Sequence, residues 1–285
     1  GKSLAAPLCA SVVGRWDFEY LEAEMEGFNE WPVHVVPRDR RCFQRVYGEG
    51  VGEGLVAPMT FAEFASKSVA RDLPHSFYLQ APLLGQDLRG FAAEDPYAGG
   101  MRGDADGFAW PWLQDLLEKA ELGGVEHNQL WVGRGGNLTP CHHDTAENFH
   151  AQILGWKRFL IIPPDETFNI YPYPIDHPLD TFSMVDFDDP DLMRFPRLRR
   201  LRCFEAVLRP GDVLYLPLYW WHQVAQGMGD NISLNFWCGQ RAPPLPPEAT
   251  GFQRHAHLFA SLPARCRPLL AHRLAEDFVR GASRA

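Results

Sequence analysis

Residues 128–162, NQLWVGRGGNLTPCHHDTAENFHAQILGWKRFLII, decide how this chain folds. Short runs rich in aromatic and β-branched residues (NQLWVG, TPCHHD, NFHAQIL, KRFLII) are punctuated by glycine, proline and aspartate, the pattern of successive β-strands. FEAVLRP (204–210), VLYLP (213–217) and ISLNFW (232–237) continue it, so 128–240 reads as one β core. Gly155 and Trp156 fit a two-residue hairpin turn with glycine at its first position.

Outward from that core, 1–127 reads as a mixed α/β part that supports it. Trp16 to Met25 has helical spacing, VHVV (33–36) is strand-like, and 61–70 follows Thr60 as an N-cap. A further helix is predicted from Trp110 to Leu122, stopped by Gly123 and Gly124. On the other side, PPLPPEA (243–249) is a stiff link, and helical periodicity returns within 241–285 at Phe259, Leu262, Leu269, Leu270, Leu274 and Phe278. That apolar stripe needs a partner, either the core or another subunit; pairing with a second copy of the chain would make the protein a homodimer.

A net charge of −9 disfavours a nucleic-acid partner, since such binding draws on clustered Lys and Arg. RLRRLR (197–202) is basic, but it follows the acidic VDFDDPD (185–191) and is expected to balance it. DFDDPD itself lacks the glycine and the bidentate Glu of an EF-hand loop and reads as a solvated turn. Six cysteines form no CxxC, which fits reduced thiols and a cytoplasmic or nuclear location. The apolar stretch from Leu4 to Val13 is too short to span a bilayer and is broken by Pro7; its other reading is a signal-peptide core. Because the chain opens at Gly1, some N-terminal sequence is expected to be missing.

His142 and Asp144 are two residues apart, so on a strand both side chains leave one face and can meet one ion. His222 lies eighty residues later and would complete a two-histidine, one-carboxylate set. Such a set suits iron(II) and leaves the opposite positions open for a bidentate cosubstrate and dioxygen, whereas a structural zinc site closes with four ligands. His143 is the competing ligand, although regular strand geometry turns it away. Lys157 is one of only four lysines and sits in apolar GWKRFLII. A buried ammonium there needs a counter-charge, which a dicarboxylic acid would supply with the Thr139 hydroxyl beside it; the alternative is a lysine that snorkels from an edge strand.

The strings GNLTPCHHDTAENFHAQILGWKR, YPYPIDHPLD, VDFDDPD, RPGDVLYLPLYWWH and NFW together resemble the JmjC class of iron(II)- and 2-oxoglutarate-dependent oxygenases. Within it they look most like the asparaginyl hydroxylase that acts on hypoxia-inducible factor. The resemblance implies a mainly β, double-stranded β-helix (jelly-roll, cupin-like) fold with surrounding helices. It implies iron ligation by His142, Asp144 and His222. Lys157, Thr139 and Tyr78 would hold the distal carboxylate of 2-oxoglutarate, Asn148 and Asn235 would flank its chelating end, and Trp237 would pack beside them. Asn148 also shares parity with His142 and Asp144, and Asn235 shares it with Trp237.

Gln80 matches a position that contacts substrate. Thr181 and Phe182 depart from the family, which has Arg then Gln after HPCD where this chain has HPLD. The swap removes groups that would grip an amide, at about 1 to 3 kcal/mol for an unsatisfied polar group. The implied reaction is β-hydroxylation of an Asn, Asp or His side chain in a protein, such as an ankyrin-repeat or transcription-factor segment, with release of succinate and CO2. Two other readings stay open: a JmjC oxygenase for a modified tRNA base or a histone lysine, and a cupin-like metal-binding module without turnover.

Overall fold

The structure, a computed structural model, describes residues 8–25, 30–38, 55–70, 72–83, 101–174, 177, 179 and 181–240. The helical segment expected in 241–285 lies outside the described residues. The helices are α1 (Phe18–Met25), α2 (Phe61–Val69), α3 (Arg102–Asp106) and α4 (Trp110–Lys119). The N-terminal strands are β1 (Trp31–Pro37), β2 (Leu55–Met59), β3 (His75–Ala81) and β4 (Leu122–Arg134). Then come β5 (Leu138–His143), β6 (Glu147–Leu154), β7 (Lys157–Ile162), β8 (Phe204–Leu208), β9 (Val213–Leu216), β10 (Trp221–Gln226) and β11 (Asp230–Gln240).

Every pairing is antiparallel, in two sheets ordered β2-β1-β3-β4-β11-β6-β9 and β5-β10-β7-β8. This is the mainly β, jelly-roll architecture anticipated above, with the N-terminal strands extending the larger sheet.

The period-two alternation of β11 and β6 explains where core and cavity lie. Ile232, Leu234 and Phe236, with Phe149, Ala151 and Ile153, face the helices and join Leu21, Phe61, Phe64 and Leu113 in the main apolar core. The intervening Ser233, Asn235, Asn148, His150 and Gln152 are buried too, but on the face turned toward the smaller sheet. A buried polar row must be hydrogen-bonded or filled by a ligand, and the space between the sheets is where that requirement falls. Thr60 caps α2 as expected, its hydroxyl accepting from Glu63 N at 3.2 Å. No helix among the described residues is long and apolar enough to cross a membrane.

Three local expectations change. Helix α4 stops at Lys119, and Gly123 belongs to β4, where an added Cβ would come 2.7 Å from the Gly239 backbone of neighbouring β11. That glycine permits close strand approach and does not cap a helix. Gly155 and Trp156 join strands of different sheets, because β6 pairs with β9 and β11 while β7 pairs with β8 and β10. The turn is a corner and not a hairpin. Finally, β2, β3 and β10 were not distinguished as strands; β10 holds WWHQVAQ only from its second tryptophan.

Gly155 has φ +72° and a Cβ would sit 2.4 Å from Asp230 O. Gly155→Ala should therefore lower stability by about 1 to 3 kcal/mol, since both backbone strain and a backbone clash oppose it. A lower urea midpoint at unchanged slope is the result to look for.

Candidate metal centre

β5 and β10 run antiparallel with His142 opposite His222, so both imidazoles leave the same side of adjacent strands, with ring centroids 4.3 Å apart. Asp144 follows directly after β5 and stays on that side. The ligand atoms of His142, Asp144 and His222 lie within 4.8 Å of one another, the one such group of three among the described residues.

The imidazoles are oriented by backbone. His142 Nδ1 meets Pro140 O at 2.8 Å and His222 Nδ1 meets Trp220 O at 3.0 Å. A carbonyl only accepts, so each Nδ1 carries a hydrogen and each Nε2 is the nitrogen turned toward the site. Those Nε2 atoms stand 3.8 and 4.0 Å from the Asp144 carboxylate oxygens. Asp144 Oδ2 accepts from Asn148 Nδ2 (3.0 Å) and Trp237 Nε1 (2.9 Å), which turns Oδ1 toward His142.

Burial and the neighbouring His222 push His142 down to about 4, so it stays neutral at physiological pH, the form that ligates. Burial alone would raise the Asp144 carboxyl, but His222, His142 and the donors from Trp237 and Asn148 outweigh it and hold it below the usual carboxylate range. Two imidazoles and one carboxylate, with Cys141 buried in a separate cluster beside Ile162 and Trp221, fit iron(II) with open coordination positions. His143 packs edge-on against Trp221 (4.6 Å) and Tyr219 (5.3 Å) and is not in the ligand group.

One cavity between the sheets is lined by His142, Asp144 and His222 together with Tyr78, Thr139, Asn148, Lys157, Asn235 and Trp237. Lys157 lies at its far end, 3 % exposed, and donates to Tyr78 Oη (3.1 Å) and Ser233 Oγ (2.6 Å). Both partners are neutral, and among the described residues no carboxylate pairs with it. It does not snorkel; burial instead pushes its pKa down to about 7. Gly133 stands opposite Tyr78, and a Cβ there would come 2.8 Å from the Tyr78 ring, so glycine lets the tyrosine lean in.

Asn148 reaches the site by a route other than parity with His142. It lies on β6 in the facing sheet, so counting residues across the intervening turn carries no information about its direction. Gln129, Trp131, His150, Phe159, Leu216 and Val224 also line the cavity and were missed. The signal for His150 was its alternation with Asn148, and for Ser233 its alternation with Asn235 and Trp237.

On the outer side, the Phe182 ring stacks on His142 (5.2 Å, 19°) and the two residues form a backbone bridge. Thr181 O accepts from His143 N at 3.0 Å. Gln80 is half-buried on β3 opposite Trp131 and is not a lining residue of the cavity. The acidic 186–191 loop caps itself, Asp186 Oδ1 accepting from Asp188 N at 2.9 Å and Asp191 Oδ1 from Met193 N at 2.9 Å. Of the basic run, Arg202 balances Asp165 and Glu166.

Fold and site together define a cupin-type β-helix with a group of three side chains that could hold a metal ion. Residues 10–241 match the family described as cupin-like domain, and the chain belongs to that family. It is 39% identical over 114 residues to HSPB1-associated protein 1 of Bos taurus, covering 39% of this chain and 24% of that protein. It is 38% identical over 107 residues to lysine-specific demethylase 8 of Danio rerio (38% and 26% covered). Against lysine-specific demethylase JMJ30 of Arabidopsis thaliana it is 35% identical over 123 residues (42% and 28%). The matched stretch thus spans about a quarter of the length of these relatives. These likenesses support the JmjC class; none of the three names points to the asparaginyl hydroxylase.

Proposed function

We propose that this chain is an iron(II)- and 2-oxoglutarate-dependent dioxygenase that hydroxylates a side chain of a protein or peptide. The observation that carries the reading is the pairing, in one cavity, of an open His142–Asp144–His222 face with a buried Lys157 that pairs with no carboxylate among the described residues. When bound, iron(II) would supply dioxygen activation coupled to oxidative decarboxylation of 2-oxoglutarate to succinate and CO2.

The chain's own residues then have defined tasks. Lys157, Tyr78, Thr139 and Ser233 hold the distal carboxylate. Asn148 and Asn235 orient the chelating end, while Trp131, Phe159 and Leu216 wall the cosubstrate from water. Phe182, stacked on His142, gives the substrate side an apolar surface where an amide-gripping group would otherwise stand. Gln80, on the same face of β3 as Tyr78, and Thr181 are further substrate contacts by likeness to the JmjC family. The relatives named as lysine-specific demethylases favour one second reading, oxidation of an N-methyl-lysine.

Incubating the protein with iron(II), 2-oxoglutarate, air and a panel of Asn-, Asp-, His- and methyl-lysine-bearing peptides separates them by mass spectrometry. A gain of one oxygen that is absent with His142→Ala supports hydroxylation. Loss of one methyl group points to demethylation, and neither product nor succinate release would overturn both in favour of a binding module.

Cosubstrate binding should depend on pH through Lys157. The ammonium form is the binding form, and its pKa is about 7 in the free site. Affinity for 2-oxoglutarate should be level well below pH 7 and fall through and above it, by about 25-fold between pH 6.5 and 8.5. Anaerobic calorimetry of the manganese(II)-loaded protein measures this, and a flat profile would argue against a carboxylate on Lys157.

A further inference from the structure

We propose that His150 is a positioning residue of the metal centre: its Nδ1–H fixes the side-chain amides of Asn235 and Asn148, and through them the face that the Asp144 carboxylate turns to an ion. The inference rests on the metal-site reading above and assigns a role to a residue three hydrogen bonds removed from Asp144.

The hydrogen-bond directions follow from which groups can only accept. Asp144 Oδ2 is an acceptor, so Asn148 must present Nδ2 to it (3.0 Å). The remaining Asn148 Oδ1 accepts from Asn235 Nδ2 at 2.9 Å, which leaves Asn235 Oδ1 pointing at His150 Nδ1, 2.8 Å away. On the other side of the ring, Gln152 is held by Nε2 donating to Leu154 O (2.7 Å) and Asn231 Oδ1 (3.1 Å). Its Oε1 therefore faces His150 Nε2, at 3.5 Å.

His150 thus sits between two oxygens that each want a donor, and a neutral imidazole has only one to give. The 2.8 Å contact decides where it goes. A lone pair on Nδ1 at that distance from Asn235 Oδ1 would be repulsive, whereas a lone pair on Nε2 at 3.5 Å from Gln152 Oε1 costs little. Burial and the Lys157 ammonium push His150 down to about 3, which keeps the ring neutral and the assignment unique.

Strand register builds this chain of contacts. His150 stands directly opposite Asn235, and Asn148 opposite Trp237, on the paired strands β6 and β11. Both donors to Asp144 Oδ2 therefore come from one register position. If Asn235 lost its partner, its amide would be free to turn over and face Asn148 Oδ1 with an acceptor oxygen in place of its donor, so that Asn148 would have to turn its own Nδ2 toward Asn235. Asn148 would then release the carboxylate.

The test separates hydrogen bonding from packing. Asparagine places a donor where Nδ1–H stood, glutamine reaches the Nε2 position, and phenylalanine fills the ring volume with no donor. Metal-free protein is titrated with cobalt(II), followed by calorimetry and by its visible d–d bands. His150→Phe and His150→Gln should bind about tenfold more weakly with altered bands, the size expected when a partner behind a metal ligand is lost. His150→Asn should stay close to wild type although it leaves the larger void.

The reverse order, with Phe as good as wild type and Asn worst, would mean that the ring only fills space and would overturn the inference while leaving the metal site intact. Cobalt binding that His142→Ala does not weaken would overturn the site and the inference together. Independently of any variant, 15N NMR of histidine-labelled wild type should show His150 as the Nδ1–H tautomer; the Nε2–H form would overturn the proposal.

Discussion

Asp144→Ala should bind cobalt(II) or iron(II) about a thousandfold more weakly than wild type, a loss of about 4 kcal/mol, and release no succinate above background. Asp144 is the single carboxylate of the group, and its removal leaves two imidazoles facing each other across 4.3 Å of ring separation. Two further donors, Asn148 Nδ2 and Trp237 Nε1, lose their shared acceptor and no longer define a face for the ion. The metal-free protein should still fold, because the apolar core lies on the other side of the larger sheet, between it and the helices. A folded Asp144→Ala protein with wild-type metal affinity would refute the assignment of this centre.

Lys157→Met should move stability and cosubstrate binding in opposite directions. Losing a charge-assisted contact to the distal carboxylate costs about 1.5 to 3 kcal/mol, or about tenfold to 150-fold in 2-oxoglutarate affinity. In the free protein, however, the same ammonium is buried against neutral oxygens, and its pKa falls from 10.5 to about 7. Between those values the unfolded chain holds more protons than the folded one, so stability declines as pH falls from 10.5 and levels off below 7. Methionine removes that penalty. The variant should therefore unfold at a higher midpoint without ligand at neutral pH, and 2-oxoglutarate should stabilise it less than wild type. A midpoint that drops alongside affinity would show that Lys157 serves the fold and not a ligand.

The sequence made the β core legible because alternating apolar runs between Gly, Pro and Asp leave few other solutions, and it made His142 and Asp144 a pair because strand neighbours two apart share a face. It misled where a local signal had a long-range cause. Gly123 resembled a helix stop, yet glycine is required there because β11 comes within 2.7 Å of its missing Cβ. Gly155 resembled a hairpin turn, yet it carries the chain from one sheet to the other.

Which residues share the cavity was legible only in part. His150 and Trp131 enter it through register, with His150 opposite Asn235 and Trp131 opposite Ser233, whose hydroxyl meets Lys157 Nζ. Pairing partners eighty or more positions apart are set by how whole sheets stack, and no local pattern records that. By itself, then, the sequence determined the element type, the residue chemistry and the faces within each strand, all properties of a few neighbouring residues. Only the tertiary structure decided that His222 comes opposite His142, that Lys157 is buried with no carboxylate among the described residues to pair it, and that one run of hydrogen bonds joins His150 to Asp144. Each of those depends on two sheets closing over a common polar interior.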